Sequence, residues 1–343
     1  MHMADALVSP AVGMAMNAIS VAAIVAAAAN VKKDELAEKK VPIMGVAGAL
    51  VFAGQMINFT IPATGSSGHI GGGILLAGLL GGVPAFLSIA AVLIIQCLFF
   101  ADGGLLALGS NIFNLGVIPC LFVYPLIFKP LIKGNADYRR LPIASVAAVI
   151  VGLQLGALCV VLQTLFSGIT ALPFGTFAAL MMPIHLAIGI VEGIVTAAVL
   201  CFVYKMRPEI IDGSARPAER PGGVSTKKLL IAFVVMTVVV GGALSLFVSA
   251  NPDGLEWAIG KTTYKVLGEE TELEAVGGIF DGAASLRDSV AFLPDYAFTS
   301  DPENAMGTSV SGIFGAAITF IFAGATGFVI SRTKKRKKAV VNV

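Results

Sequence analysis

The chain has 343 residues, of which 57% are hydrophobic and only 13% are charged, and its formal net charge is +2. Its mean hydropathy of +0.89 lies outside the range of soluble globular proteins and is typical of proteins that cross a membrane several times. We therefore expect no nucleic-acid ligand. The four cysteines lie in apolar runs without CxxC spacing, so they predict neither a disulfide framework nor a metal cluster.

The chain opens with MHMADALVSP, which carries no lysine or arginine ahead of its apolar run and so differs from a secretory signal peptide. Apolar runs of about 20 residues then predict six membrane-spanning helices. These runs lie at about 8–30, 41–61, 141–167, 178–204, 229–249 and 310–331.

The stretch from Ile70 to Phe128 could form two long helices or three shorter ones, and the basic residues decide between them. Lysine and arginine cluster at four places, which are 32–40, 129–140, 205–228 and 332–338. The positive-inside rule assigns such clusters to the cytoplasm, and they all fall on that side only if this stretch forms three helices. The predicted segments are 70–81, 83–101 and 105–128, with the first too short to span fully.

The sequence therefore predicts an all-α polytopic membrane protein with about nine transmembrane segments, its amino terminus outside and its carboxyl terminus inside. Residues 1–206 form a seven-helix domain in this interpretation. Residues 207–227, rich in proline, glycine and charge, form a cytoplasmic linker. Residues 228–343 form a two-helix domain, whose external loop at 250–309 holds eleven carboxylates and three basic residues.

Three histidines, His2, His69 and His185, all fall on the external half of this topology. If Met1 is retained with a free α-amine, that amine, the backbone nitrogen of His2 and its imidazole can close two adjoining chelate rings around a metal ion. These three nitrogens lie in one plane around the ion and leave a single position of that plane open for a fourth ligand. A tetragonal site of nitrogens favours Ni²⁺ or Cu²⁺, with Co²⁺ also possible.

His69 lies in the glycine-rich stretch TGSSGHIGGG, at the start of a short predicted helix. The helix dipole at that position disfavours a protonated imidazole, which keeps the ring able to bind a metal. Because the first ten residues are mostly apolar, we expect the tail to fold back into the bundle and bring His2 to His69.

Glu192 is the only charged residue predicted in the interior of a spanning helix, and it follows His185 by seven positions on the same helix face. The pair could form a polar seam that orients the metal ligands, or it could bond neighbouring helices together. Two other functional classes remain open from these residues, namely a membrane-embedded metal hydrolase that uses His69, His185 and Glu192, and a proton-coupled carrier that uses Glu192.

The stretch GLEWAIGKT (Gly254 to Thr262) is similar to a P-loop but has five residues between its glycines where four are required, and it follows no predicted strand. No nucleotide site is therefore predicted, and we expect ATP-driven work to depend on another chain.

Four motifs occur in order along residues 1–205, namely MHMADALVSP, GSSGHIGGG, DGGLLALGSNIFNLGV and HLAIGIVEG. Together they resemble the substrate-capture membrane component of energy-coupling-factor transporters for nickel and cobalt. Beyond the linker, NPDGLEWA resembles the small accessory subunit of the nickel systems, here fused to the capture subunit.

This resemblance implies a transport subunit of a prokaryotic inner membrane, not an enzyme. The implied ligands of the ion are Met1, His2 and His69, and the implied partners are a transmembrane coupling protein and a pair of ATPases. The implied cargo is Ni²⁺, with Co²⁺, for cobalamin supply, as the alternative. No cofactor is expected.

Overall fold

The computed structural model describes residues 2–31, 40–132, 139–211, 225–270, 273, 277–301 and 304–341, with side chains described as far as Arg332. Met1, positions 32–39 and 133–138, and positions 212–224 of the predicted linker lie outside this part of the chain.

The described residues form eleven helices, with single 3₁₀ turns between some of them. The helices are α1 (Pro10–Asn30), α2 (Lys40–Gln55), α3 (Gly73–Leu80), α4 (Gly82–Phe100), α5 (Leu108–Ile132), α6 (Arg140–Ser167), α7 (Phe174–Met206), α8 (Thr226–Phe247), α9 (Gly254–Leu267), α10 (Ile279–Val290) and α11 (Met306–Val341). A two-stranded antiparallel hairpin, β1 (Phe59–Ile61) and β2 (Ser66–Gly68), follows α2.

Seven of these helices, α1, α4, α5, α6, α7, α8 and α11, are long and apolar enough to cross a membrane. Two shorter apolar helices, α2 with 16 residues and α3 with eight, complete the nine predicted segments. The prediction of an all-α polytopic membrane protein is therefore confirmed. So is the division of the stretch after Ile70 into three helices, because α3 ends at Leu80 and Gly81 turns the chain with φ at +88°.

The end of α2 differs from the prediction. The apolar run at 41–61 was expected to be one spanning helix, but the helix ends at Gln55. The last apolar residues of the run instead form β1, where Thr60 lies opposite Ser67 of β2. Apolar residues suit a buried strand as well as a helix, so the run alone did not indicate this change.

Several loops meet at one end of the bundle, which we call the histidine end. They are the amino-terminal tail, the β1–β2 hairpin, the turn between α4 and α5, and the segment between α8 and α9. At the opposite end, Lys40 Nζ donates to the carbonyl of Leu80, and Arg207 donates to the hydroxyl of Thr226. That the histidine end faces outside stays a prediction from the basic clusters.

Two long helices, α8 and α11, belong to residues 226–343, which we call the fused unit. They pack directly on helices that lie before the predicted linker. A Cβ atom at Gly45 of α2 would lie 2.8 Å from the carbonyl oxygen of Phe320 in α11. A Cβ atom at Gly312 of α11 would overlap the backbone of Gly241 in α8. Small residues at these crossings let the backbones approach closely, which is how helices associate in lipid.

We expect Gly312→Ala to destabilise this packing by about 1–3 kcal/mol, because the added methyl group meets backbone that cannot rotate away. Gly324→Ala on the same helix is the matched control, since a Cβ atom there would meet only the Cα atom of Gly45, at 4.0 Å. Thermal unfolding of the purified chain in detergent measures the difference. Equal midpoints for the two variants would contradict the close packing of α8 on α11.

Candidate metal centre

The amino-terminal tail is docked in the bundle. Met3 is fully buried, and the side chain of Asn111 in α5 bonds both of its backbone groups. The N–H of Met3 donates to Asn111 Oδ1 at 2.7 Å, and Asn111 Nδ2 donates to the carbonyl of Met3 at 3.1 Å. That carbonyl also accepts the N–H of Gly104 at 2.9 Å. These bonds fix the backbone immediately after His2.

A second anchor lies two residues further on. The carboxylate of Asp5 accepts the N–H of Ala107 at 2.9 Å, in the turn that joins α4 to α5. This turn approaches the tail so closely that a side chain at Gly104 would overlap Asp5. Ser9 then caps α1, with Pro10 at the first helical position. The tail therefore follows the turn along its length.

The histidine loop, which we define as residues 66–72, is bonded to α7. Glu192 of that helix accepts the N–H of Gly71 and the N–H of Gly72, both at 2.8 Å. Gln55 at the end of α2 donates to the carbonyl of Gly71 at 2.8 Å. Three polar contacts thus satisfy a non-helical backbone that is buried in the bundle.

The tail and the histidine loop bring His2 and His69 together. Their ring centroids are 5.1 Å apart and their planes differ by 9°. Each side chain is only 7% exposed. Because metal–imidazole bonds are about 2.0–2.1 Å long, rings at this separation can bind the same ion after small rotations.

A hydrogen bond assigns the ring nitrogens of His69, and a distance to a carboxylate places the ring of His2. His69 Nδ1 lies 3.1 Å from the carbonyl oxygen of Ile70, which only accepts, so Nδ1 carries the proton and Nε2 presents a lone pair. His2 Nδ1 lies 3.2 Å from Asp102 Oδ1. Asp102 in turn accepts the hydroxyl of Tyr296 at 2.5 Å. Asp102 therefore links Tyr296 to the ring of His2.

Burial keeps the two imidazoles neutral. It lowers the pKa of His2 to about 3 and the pKa of His69 to about 3, because a charged ring loses its hydration there. Burial also raises the pKa of the Asp102 carboxyl. Neutral imidazoles are the form that binds transition metals, so this end of the bundle favours a metal ion over a proton at the two rings.

Several buried polar atoms at and near this end have no hydrogen-bond partner in the described part of the chain. They are Nε2 of His2, both amide atoms of Gln96, and Nε2 of His185. The Gln96 amide is close enough to raise the pKa of His2 slightly, yet it does not reach hydrogen-bond geometry. Unpaired buried polar atoms are costly, so each of these atoms has the capacity to bond a ligand or a water molecule.

His185 and Glu192 lie on one buried face of α7, as the sequence indicated, but they contact different groups. Nδ1 of His185 lies 2.9 Å from the carbonyl of Met181, one turn earlier, whereas Glu192 holds the histidine loop. Among the residues that the structure describes, no three His, Cys, Asp or Glu side chains converge as a metal site.

Sequence analysis did not single out Asp102, Asn111 or Asp253. Asp102 and Asn111 lie in the motif DGGLLALGSNIFNLGV, where an acidic residue and an asparagine interrupt an apolar stretch. Asp253 lies in the NPDGLEWA motif, and its Oδ2 is 3.8 Å from His69 Nε2. Their polarity was a signal, but only the fold shows which histidine each one faces.

Two protein families match the chain. Residues 2–210 match the family described as the cobalt uptake substrate-specific transmembrane region, and residues 227–332 match the PDGLE domain. A fused nickel transport protein of Rhodobacter capsulatus is 27% identical over 98% of this chain and 99% of its own length. A relative from Archaeoglobus fulgidus, also named for fused nickel transport, is 31% identical over 86% of this chain and 87% of its own length.

The fold is similar to that of a solved structure as well. The crystal structure of a truncated transition metal transporter matches with a TM-score of 0.52 and 29% identity. The match covers 60% of this chain and 99% of that chain.

We expect Asn111→Leu to release the tail, because it leaves the N–H of Met3 without its partner and removes one of the two donors to the carbonyl of Met3. Loss of these buried bonds should lower stability by about 1–3 kcal/mol. Hydrogen exchange followed by mass spectrometry should show faster exchange in the first eight residues. Ser88→Ala is the control, since the Ser88 hydroxyl is buried but bonds only within its own helix. Unchanged exchange in Asn111→Leu would contradict the docking.

Proposed function

We propose a function from one premise, which is that the chain belongs to the cobalt uptake substrate-specific transmembrane family and continues into a PDGLE domain. It is a multi-pass membrane protein and a nickel and cobalt transport component of the energy-coupling-factor type. In our proposal the chain captures Ni²⁺ at the histidine end, from outside the cell, and other subunits power its release inside. We also propose the division into a capture domain at 1–206, a linker at 207–227 and an accessory domain at 228–343.

The observation that carries this proposal is the contact between His2 and His69, two residues 67 positions apart in sequence. We propose that the ion is bound by the α-amine of Met1, the backbone nitrogen and imidazole of His2, and Nε2 of His69. Support comes from the docked backbone of Met3, which prevents the tail from moving away. A chelate whose atoms are held in place in advance loses less entropy on binding.

The chelate that includes the backbone nitrogen of His2 closes through Nδ1 of the same residue. That nitrogen lies 3.2 Å from the carboxylate of Asp102. Binding of the ion through Nδ1 therefore replaces its contact with Asp102 and leaves the imidazole proton on Nε2, while the backbone nitrogen gives up its proton to become a ligand. Metal binding of this kind releases protons, so the affinity for the ion rises with pH.

Nickel is preferred over cobalt in this proposal. The two relatives that align with most of this chain, including the fused part, are named for nickel transport. A cobalt transport protein of Sorangium cellulosum aligns with only 50% of the chain. An all-nitrogen tetragonal site suits Ni²⁺ well, and Co²⁺, for cobalamin supply, is the alternative cargo because the same nitrogens bind it.

Transport against a gradient requires an energy source, which we assign to separate subunits. We propose that a transmembrane coupling protein and a pair of ATPases act on this chain as its partners. The family membership supports this assignment.

We expect insertion of one alanine between Met1 and His2 to abolish high-affinity Ni²⁺ binding. The insertion moves the α-amine out of reach of the second chelate ring and so removes one nitrogen ligand. Calorimetry on purified protein measures the affinity, with His2→Ala as the positive control for loss of binding. An insertion variant that binds Ni²⁺ as tightly as the native chain would sink the proposed ligand set.

Glu192 separates the capture function from the two alternatives, a metal hydrolase and a proton-coupled carrier. We expect Glu192→Gln to keep Ni²⁺ binding within about tenfold of the native value, because the amide oxygen still accepts an N–H from the histidine loop. A carrier that moves protons through Glu192 would lose uptake driven by a proton gradient. Binding assays and uptake into vesicles, with and without ATP and the partner subunits, distinguish these outcomes.

A further inference from the structure

A fully buried glutamine, Gln96, lies near the end of α4, next to the turn that carries Asp102. The backbone carbonyl of Gln96 accepts the N–H of Ala101 and also the N–H of Asp102, the second at 3.1 Å. Ala101 has a left-handed backbone with φ at +54°, which ends the helix at this point. The glutamine and the aspartate are therefore fixed relative to each other.

Both residues lie beside the ring of His2. Asp102 Oδ1 is 3.2 Å from Nδ1 of the imidazole. The side-chain amide of Gln96 lies within interaction range of the same imidazole and of the Tyr296 hydroxyl. The end of α4 and the turn after it thus supply a carboxylate and an amide as neighbours of the His2 ring.

The amide of Gln96 differs from every other glutamine amide in the chain. The other three glutamines each donate a hydrogen bond from Nε2, and the acceptors are Gly71 for Gln55, Met182 for Gln154 and Asn114 for Gln163. Within the described residues, neither amide atom of Gln96 has a hydrogen-bond partner. Nε2 of His2 is unpaired as well. An unpaired amide therefore lies beside a ring that has an unpaired nitrogen.

Packing alone does not account for a glutamine at this position, where the helix reads VLIIQCLFF. Leucine would fill a similar volume without leaving two polar atoms unpaired. The buried hydroxyl of Ser88, in the same helix, bonds to the carbonyl of Pro84. Because buried polar atoms without a partner are costly, the amide of Gln96 indicates a bond that forms in another state of the site.

The chemistry of imidazole supplies such a bond. In the proposed chelate the ion occupies Nδ1 of His2, so the ring proton is on Nε2. Histidines that bind metals nearly always donate from their second ring nitrogen, which fixes the orientation of the ring. The amide oxygen of Gln96 is an unpaired acceptor beside this ring. Its amide nitrogen can donate to Nε2 in the other tautomer, so a half-turn of the amide serves the ring before and after binding.

We infer that Gln96 positions the ring of His2 for capture, by accepting the proton on Nε2 while Nδ1 binds the ion. This inference rests on the proposed function and adds to it a positioning residue from α4. Gln96 acts through the ring and does not itself bind the ion. Asp102 contacts the ring at Nδ1 before the ion binds, and Gln96 holds it at Nε2 afterwards.

The test compares Gln96→Leu with the native full-length chain in detergent. Leucine removes both amide atoms, which have no partner before the ion binds, so the unfolding midpoint without metal should not fall. The affinity for Ni²⁺, measured by calorimetry, should fall by about tenfold to hundredfold, as is typical when the partner of a metal-binding histidine is removed. Equal affinity in the two proteins would overturn the inference.

Gln96→Glu tests whether the acceptor oxygen is what matters. A carboxylate keeps an acceptor at the same reach, so this variant should bind Ni²⁺ more tightly than Gln96→Leu, even though burial of the acid lowers its unfolding midpoint. A role in packing alone predicts the reverse order, because leucine suits an apolar helix better than glutamate does. Tighter binding by Gln96→Leu than by Gln96→Glu would therefore contradict the inference.

Gln154→Leu is the matched control. Gln154 donates to the carbonyl of Met182 at 2.9 Å and so joins α6 to α7. Its loss should lower the unfolding midpoint, whereas the affinity for Ni²⁺ should stay close to the native value. If it weakens binding as much as Gln96→Leu does, a general effect of losing a glutamine explains the result, and the inference fails.

The alanine insertion after Met1 keeps the two proposals distinguishable. Loss of binding in the insertion variant together with full binding in Gln96→Leu would leave the capture function intact and reject only the role of Gln96. Absence of Ni²⁺ binding in the native chain would reject both proposals.

Discussion

A buried carboxylate in the middle of a spanning helix holds the candidate metal centre in place. Glu192 accepts two backbone N–H groups from Gly71 and Gly72, where the chain crosses the bundle without helical hydrogen bonds. In a low-dielectric interior an unpaired N–H and an unpaired carboxylate are both costly, so each stabilises the other. The position of His69, two residues earlier, follows from this contact.

The tail is held by the same principle, because side chains bond backbone groups there as well. Asn111 bonds both backbone groups of Met3, and Asp5 bonds the turn between α4 and α5. A tail of ten residues has no secondary structure of its own long enough to satisfy its backbone, so the bundle supplies the partners. His2 meets His69 because the tail and the histidine loop are each fixed independently.

Residues beyond the predicted linker approach both histidines, one of them directly and the other through a carboxylate. Asp253 faces His69 directly, and Tyr296 reaches His2 through the carboxylate of Asp102. Tyr296 has a positive φ of 60° and its ring stacks on Phe100 at 5.1 Å, so packing holds it in a backbone conformation that L-residues rarely adopt. Residues that lie before and after the predicted linker therefore meet at one polar centre.

The sequence by itself determined the class of protein, the nine apolar segments and the three residues that matter most for the proposal, Met1, His2 and His69. Apolar length, basic clusters and glycine-rich turns are local signals, and the bilayer makes them reliable because it permits few backbone structures. Only the tertiary structure decided that α2 stops at Gln55, that Glu192 holds the histidine loop and that Asp253 faces His69. Each of these depends on contacts between residues far apart in the chain, and a buried polar group does not show in sequence which partner satisfies it.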